Sequence, residues 1–135
     1  MRGSNLEEFE LINLTSHIIR LHPPDVDRPL LISPSGLVAR VLNTQEVVDY
    51  IPIRNNESHL SIPIMKTVSN ELKCLPSRVE GRYYITSGIF AMLAGRDDVL
   101  CPNTDNAEVV RDEFGNVKAT KSLLSFNMGK KLLPE

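Results

Sequence analysis

The sequence predicts a mainly β fold, a small single-domain barrel or sandwich of short antiparallel strands with one short helix near residues 88–94. Three observations carry this expectation. The apolar runs are short and rich in β-branched residues, as in His17-Ile18-Ile19-Arg20-Leu21-His22 and Leu37 to Leu42. They are punctuated by turn formers, among them Pro23-Pro24, Pro34-Ser35-Gly36 and Phe114-Gly115-Asn116. Finally, 135 residues is the size of one domain and enough chain to bury about two-thirds of its unfolded surface.

Taken in order, residues 1–8 read as a leader and flexible N-terminus, with Met1-Arg2-Gly3-Ser4 resembling an expression leader. A single β-rich domain then spans 9–126, and 127–135 read as a flexible polar tail. Phe9 to Leu14 is short and apolar and reads as a strand. His17 to His22 is a second, ended by Pro23-Pro24, which can neither donate to a ladder nor continue a helix. Leu30-Leu31-Ile32 and Leu37 to Leu42 flank Pro34-Ser35-Gly36. Proline presets one turn dihedral and glycine accepts positive φ, so these two runs read as a hairpin. Arg40 is then an isolated charge on an apolar strand.

Val47 to Ile53 and Leu60 to Val68 read as strands joined by the polar loop Arg54 to His59, and Pro52 and Pro63 assign both to a sheet edge or bulge. Gly81 to Thr86 is a further strand. Ser87 caps the helix formers Ile89 to Ala94, which stop at Gly95. A second hairpin runs from Val109-Val110-Arg111-Asp112 through Glu113-Phe114-Gly115-Asn116 to Val117-Lys118-Ala119-Thr120.

Composition narrows the function classes. A net charge of -2 and a pI near 5.9 disfavour duplex nucleic acid as a partner, because phosphate backbones are bound through excess Lys and Arg. The longest uncharged apolar stretch, Ile85 to Gly95, is too short to span a bilayer, and Glu7, Glu8 and Glu10 interrupt any secretory h-region, so no membrane partner is expected and a cytoplasmic location is. Cys74 and Cys101 have no metal-ligand or redox-motif spacing and read as reduced thiols. The fingerprints of dinucleotide, P-loop, zincin and α/β-hydrolase sites are missing from the sequence. His17, His22 and His59 lack metal-ligand spacing, so neither a metal nor a cofactor is expected.

The polar residues that remain sit beside apolar segments. His17 reads first as a strand-end residue whose ring bonds a backbone carbonyl or Asn13, and second as a general base or ligand contact. Arg96-Asp97-Asp98 follows the helix, where aspartates bond their own turn and an arginine complements the helix dipole; as a site, the carboxylates suit a cation and Arg96 an anion. Arg111-Asp112 precedes a tight turn, with Asp112 a turn former.

The phrase Ile12-Asn13-Leu14-Thr15-Ser16-His17 resembles the opening of a family of small uncharacterised proteins of bacteriophage, prophage and actinobacterial genomes, whose motif is of the type I-N-L-T-P-H. The similarity continues through Ser33-Pro34-Ser35-Gly36-Leu37-Val38-Ala39-Arg40-Val41, Tyr84-Ile85-Thr86-Ser87, Arg96-Asp97-Asp98 and Val110 to Gly115, and covers about residues 11 to 126. Ser16, Ser33 and Thr86 depart from the pattern. Ser16, in place of proline, is expected to loosen the backbone before His17.

The resemblance implies a phage or mobile-element setting and no particular activity. By position it marks Asn13, Thr15, His17, Arg40, Arg96, Asp97, Asp98, Arg111 and Asp112 as the polar set, and of these Asn13, His17, Arg40 and the Arg96-Asp97-Asp98 turn, all at strand or helix ends, are expected to gather at one rim. The leading functional expectation is a non-enzymatic binding module, an accessory protein that takes a protein partner or a small anionic, nucleotide-like ligand through Arg40, Arg96 and Arg111. The alternatives are a small metal-assisted hydrolase or nuclease using His17 with Asp97 or Asp98, and a structural subunit of an assembly. Oligomeric state is left open.

Overall fold

The structure, a computed structural model, describes residues 8–55 and 58–127. The expected leader and C-terminal tail therefore lie mostly outside the described residues, as do Asn56 and Glu57 of the expected Arg54–His59 loop. Of the described residues 51% are in strands and 9% in helices, so the fold is mainly β, with no closed barrel among them.

Among the described residues, ten strands form three small sheets. The first has the order β1 (Glu10–Asn13), β6 (Arg82–Ile85), β7 (Val99–Pro102), β10 (Leu123–Ser125). The second has the order β3 (Leu30–Ile32), β2 (Ile19–Leu21), β9 (Val117–Thr120), β8 (Val109–Arg111). The third is the pair β4 (Arg40–Asn55) and β5 (Ser58–Lys73). The pairing is not all antiparallel: β1, β6 and β7 run parallel, as do β2 and β9. The β6 to β7 connection carries the helix α1 (Gly88–Ala94), a single βαβ crossover where only antiparallel strands were expected.

Helix α1 forms as its sequence dictates. The Ser87 hydroxyl accepts from the Phe90 amide, and the chain leaves the helix through Gly95 in the left-handed conformation. Phe90 and Ala91 pack with Val99 and Cys101 in one core cluster, closed by Ala39, Val41, Leu72, Leu75, Ala94 and Phe126. A second cluster, Ile19, Leu21 and Ile85, joins the two four-stranded sheets, with Leu11, Ile32 and Leu123 against it.

The hairpin expected around Pro34-Ser35-Gly36 does not form. Gly36 does take positive φ (101°), but the flanking runs pair elsewhere: β3 with β2, through Ile19↔Ile32, and β4 with β5. Ile32 is drawn to the Ile19–Leu21–Ile85 cluster and Ala39 and Val41 to the helix, so core burial separates two runs that turn chemistry would have joined. The Val109–Thr120 hairpin does form, turning through Gly115 at φ 86°. The His17 to His22 run contracts to β2, leaving His17 in a bend, and β7 and β10 are strands the sequence had not marked.

The largest difference is the arm. Val47–Ile53 and Leu60–Val68 belong to strands of 16 residues each, paired from Arg40↔Lys73 to Asn55↔Ser58 with register shifts between Thr44 and Gln45 and between Val47 and Asp49. At about 3.3 Å per residue the ribbon is roughly 50 Å long. Every residue from Leu42 to Arg54 and from Ser58 to Glu71 is exposed, so only the base, at Val41 and Leu72, is packed on the globule.

Candidate functional site

The sequence-marked polar residues fall into separate clusters. The first is centred on Asn13, the last residue of β1, which is 1% exposed. Its Nδ2 donates to the carbonyls of His17 (2.7 Å) and Ile32 (2.9 Å), and its Oδ1 accepts from the Thr15 amide (2.8 Å) and hydroxyl (2.7 Å). The His17 amide in turn donates to Thr15 Oγ1 at 3.2 Å. Asn13 and Thr15 thus tie down the bend before β2 and clamp it to β3. The loosening expected from Ser16 is offset by these bonds. It is the backbone of His17 that is held, while its ring is exposed and makes no hydrogen bond among the described residues.

The second cluster lies in the same sheet, where the chain enters β7. Arg96 makes a bidentate pair with Asp98 (Nε to Oδ1 2.9 Å, Nη2 to Oδ2 2.7 Å) and donates from Nη1 to the Pro76 carbonyl at 3.0 Å. Asp98 is 3% exposed, and its carbonyl accepts from the Tyr84 amide. The hydrogen bond to Asp98 holds the Arg96 guanidinium above its ordinary pKa against the opposing effect of burial. Asp97 pairs with Arg78, and the Tyr84 hydroxyl donates to the Ser77 carbonyl at 3.1 Å. Together these bonds pin the segment that leads from the arm into β6. Arg78, Arg82, Asp97 and Asp98 border a cleft of about 380 Å³. Its guanidinium groups already face carboxylates, Arg78 that of Asp97 and Arg82 that of Glu10 at 2.9 Å.

Arg111 and Asp112 form the third cluster, at the β8–β9 turn. Asp112 Oδ1 accepts from the amides of Phe114 and Asn116, each at 2.9 Å, and the bond from Asn116 foremost holds its carboxyl below the ordinary value. Arg111 donates to the Gly115 carbonyl (2.8 Å) and Asn106 Oδ1 (3.2 Å). Arg40 is exposed at the base of the arm, opposite Lys73.

The structure therefore brings together Asn13, Thr15 and the His17 backbone, and separately Arg96, Asp97 and Asp98. Asn13 ends β1, level with Ile85 of β6, whereas Asp98 precedes β7, whose Val99 is level with Tyr84. With β1, β6 and β7 parallel, Asn13 is level with Ile85 and Leu100, two register positions beyond Asp98 and two strands away, and Arg40, Arg96 and Arg111 each serve a different element. No group of three metal-ligating side chains occurs among the described residues. Arg78 and Glu10 were missed in the sequence: their partners lie 19 and 72 residues away, beyond any local motif.

The surface that no packing explains is the arm. Beyond the second register shift the pairs Asp49↔Ile64, Ile51↔Ile62 and Ile53↔Leu60 share one face of the ribbon, and Tyr50↔Pro63, Pro52↔Ser61 and Arg54↔His59 the other. The first face presents five aliphatic side chains to solvent. A groove of about 570 Å³ lies between the arm's base and the outer side of α1, lined by Val41, Asn43, Asn70, Ile89, Met92 and Leu93 among others. Among the described residues, no helix is long and apolar enough to cross a membrane. Comparison of the chain with protein-family models, curated proteins and solved structures finds no match.

Proposed function

We propose that this protein is a non-enzymatic binding module, an accessory or assembly component that engages a protein partner through the β4–β5 arm. One observation carries the reading: a ribbon of two 16-residue strands whose distal face is aliphatic and uncovered. Two-stranded ribbons are marginal in water unless a third element covers them, and contiguous exposed apolar faces of this kind mark interaction sites.

The polar clusters support the same reading. The Asp97 and Asp98 carboxylates are engaged by Arg78 and Arg96, which gives little support to a joint His–Asp site. Arg96 and Arg111 are committed to local partners, so a protein rather than a small anion is the favoured ligand.

A photo-reactive residue placed at position 51 on the arm, and in a parallel variant at position 117 on the globule, tests this in the cells that make the protein. Discrete protein adducts from position 51 and none from position 117 are expected. Adducts from 117 alone, or none from 51, would remove the arm as the binding element.

A further inference from the structure

The arm's aliphatic face, charged only at Asp49 on its border, and the uncharged groove on α1 are two uncovered surfaces of one chain, and we infer that they cover each other between copies, the arm of one molecule seating in the α1 groove of the next. This rests on the reading of the arm as a protein-binding element and names its partner as a second copy of the chain.

Four features support the pairing. An arm cannot fill its own groove: the groove includes the Asn43 and Asn70 pair at the arm's base, and Ile51↔Ile62 lies eight residues further along β4, about 25 Å away. The groove lining contains no charged residue, and the seated face would bring only Asp49, at its border, so apposition strands no buried charge.

Docking by the face is also favoured over docking by the edge. Pro52 on one strand and Pro63 on the other deprive each outer edge of a backbone donor, which opposes strand addition. The area suffices as well. Ile89 is 64% and Met92 55% exposed. At about 80 Å² for each half-exposed aliphatic side chain, the five arm residues with Ile89, Met92 and Leu93 remove roughly 650 Å² of apolar surface, and backbone and rim atoms bring the contact to the order of 1,000 Å² that a specific interface requires. Because the two surfaces differ, each contact uses one arm and one groove: reciprocated it closes a two-fold dimer, and unreciprocated it propagates as a ring or filament.

Complementation of purified full-length variants tests the inference. Ile51→Lys with Ile62→Lys disables the arm, and Ile89→Lys with Met92→Lys disables the groove; all four side chains are exposed, and serine replacements repeat the test if lysine perturbs the circular dichroism. By light scattering coupled to size exclusion at about 50 μM, the unmodified chain is expected to be a dimer or larger. Each variant alone should be monomeric, and an equimolar mixture should give a complex of two chains, since one arm and one groove remain intact. Three results would overturn the inference: a monomeric unmodified chain, a groove variant that still self-associates, or a mixture that stays monomeric. Adducts from position 51 to a different protein, with the unmodified chain monomeric, would end this inference while leaving the arm's binding role standing.

Discussion

Replacing Asn13 with alanine should cost stability, whatever it does to binding. The side chain satisfies the carbonyls of His17 and Ile32 and the amide and hydroxyl of Thr15 in a site 1% exposed. At a net value near 1 kcal/mol for each bond, with more where a partner is left buried and unpaired, the loss is about 3–4 kcal/mol. Domains of this size hold only about 5–15 kcal/mol in total. The midpoint of thermal unfolding should therefore fall by roughly 10 °C or more.

Asn13→Asp is the informative companion: it retains the acceptor, loses both N–H donors and sets a carboxylate against two carbonyls, so at neutral pH it should be at least as damaging. His17→Ala removes an exposed ring and none of these bonds, and should cost under about 0.5 kcal/mol. Denaturant unfolding followed by circular dichroism measures all three. An Asn13→Ala variant within about 0.5 kcal/mol of the parent, or a His17→Ala variant that matches Asn13→Ala, would refute the reasoning and return Asn13 and His17 to the list of binding residues.

Arg96→Ala leaves the buried Asp98 carboxylate without its bidentate partner; since Arg96 is itself partly exposed, water recovers some of the loss, and about 2–4 kcal/mol is expected from chemical denaturation. Asp112, whose carboxyl is held below its ordinary value, stabilises the β8–β9 turn above the unfolded-state value of about 4 and loses that contribution as pH falls through the lower folded value. The protection factors of the Phe114 and Asn116 amides, taken against their intrinsic exchange at each pH, should fall in acid, and Asp112→Asn should abolish that fall. Of the two thiols, exposed Cys74 should react with a disulfide reagent in the native protein, whereas Cys101, buried and with its pKa raised by burial, should react only on unfolding. Equal rates for the two would contradict the packing of Cys101 against α1.

Where structure is decided within a few residues, the sequence was a good guide. Ser87 and Gly95 bound the helix because both act on the adjacent turn, and the Gly115 hairpin follows from its own dihedrals. Gly36 shows the limit: its positive φ was legible, but the partners of the runs beside it are set by Ile32 and Val41 reaching different clusters. The parallel β1–β6 pairing joins residues 72 positions apart, which no local pattern encodes. Among the site residues, Asn13 and Thr15 stood out as polar groups in an apolar phrase, and only the coordinates show that they bond the backbone. Thr86 is fully buried with its hydroxyl donating to the Ser87 carbonyl, so a polar side chain fits an apolar site. The arm's face did leave a signal. Ile51 and Ile53, and Leu60, Ile62 and Ile64, alternate with other residues at period two, although alternation alone does not tell a solvent-facing ribbon from a core strand.

That ambiguity has a physical consequence. In most small β domains an alternating aliphatic strand is buried on folding, and its burial offsets the chain entropy lost there. Here both arm strands are ordered beyond the globule with every distal side chain exposed, so the ordering cost of more than twenty residues is met chiefly by one ladder of hydrogen bonds, each worth little net in water. On the proposed reading such a ribbon gains its cover from a partner, and the arm's order is then coupled to binding. The two proline-bearing edges limit that cover to the faces, and the aliphatic face is the one with apolar surface to bury. The distal amides of the unbound arm should accordingly exchange faster than those of β6 and β7, and should slow, pair by pair from Ile53↔Leu60 to Asp49↔Ile64, when a partner seats. If they are as protected in the isolated monomer as the amides of the core, the ribbon is self-sufficient and its exposed face needs no partner to explain it.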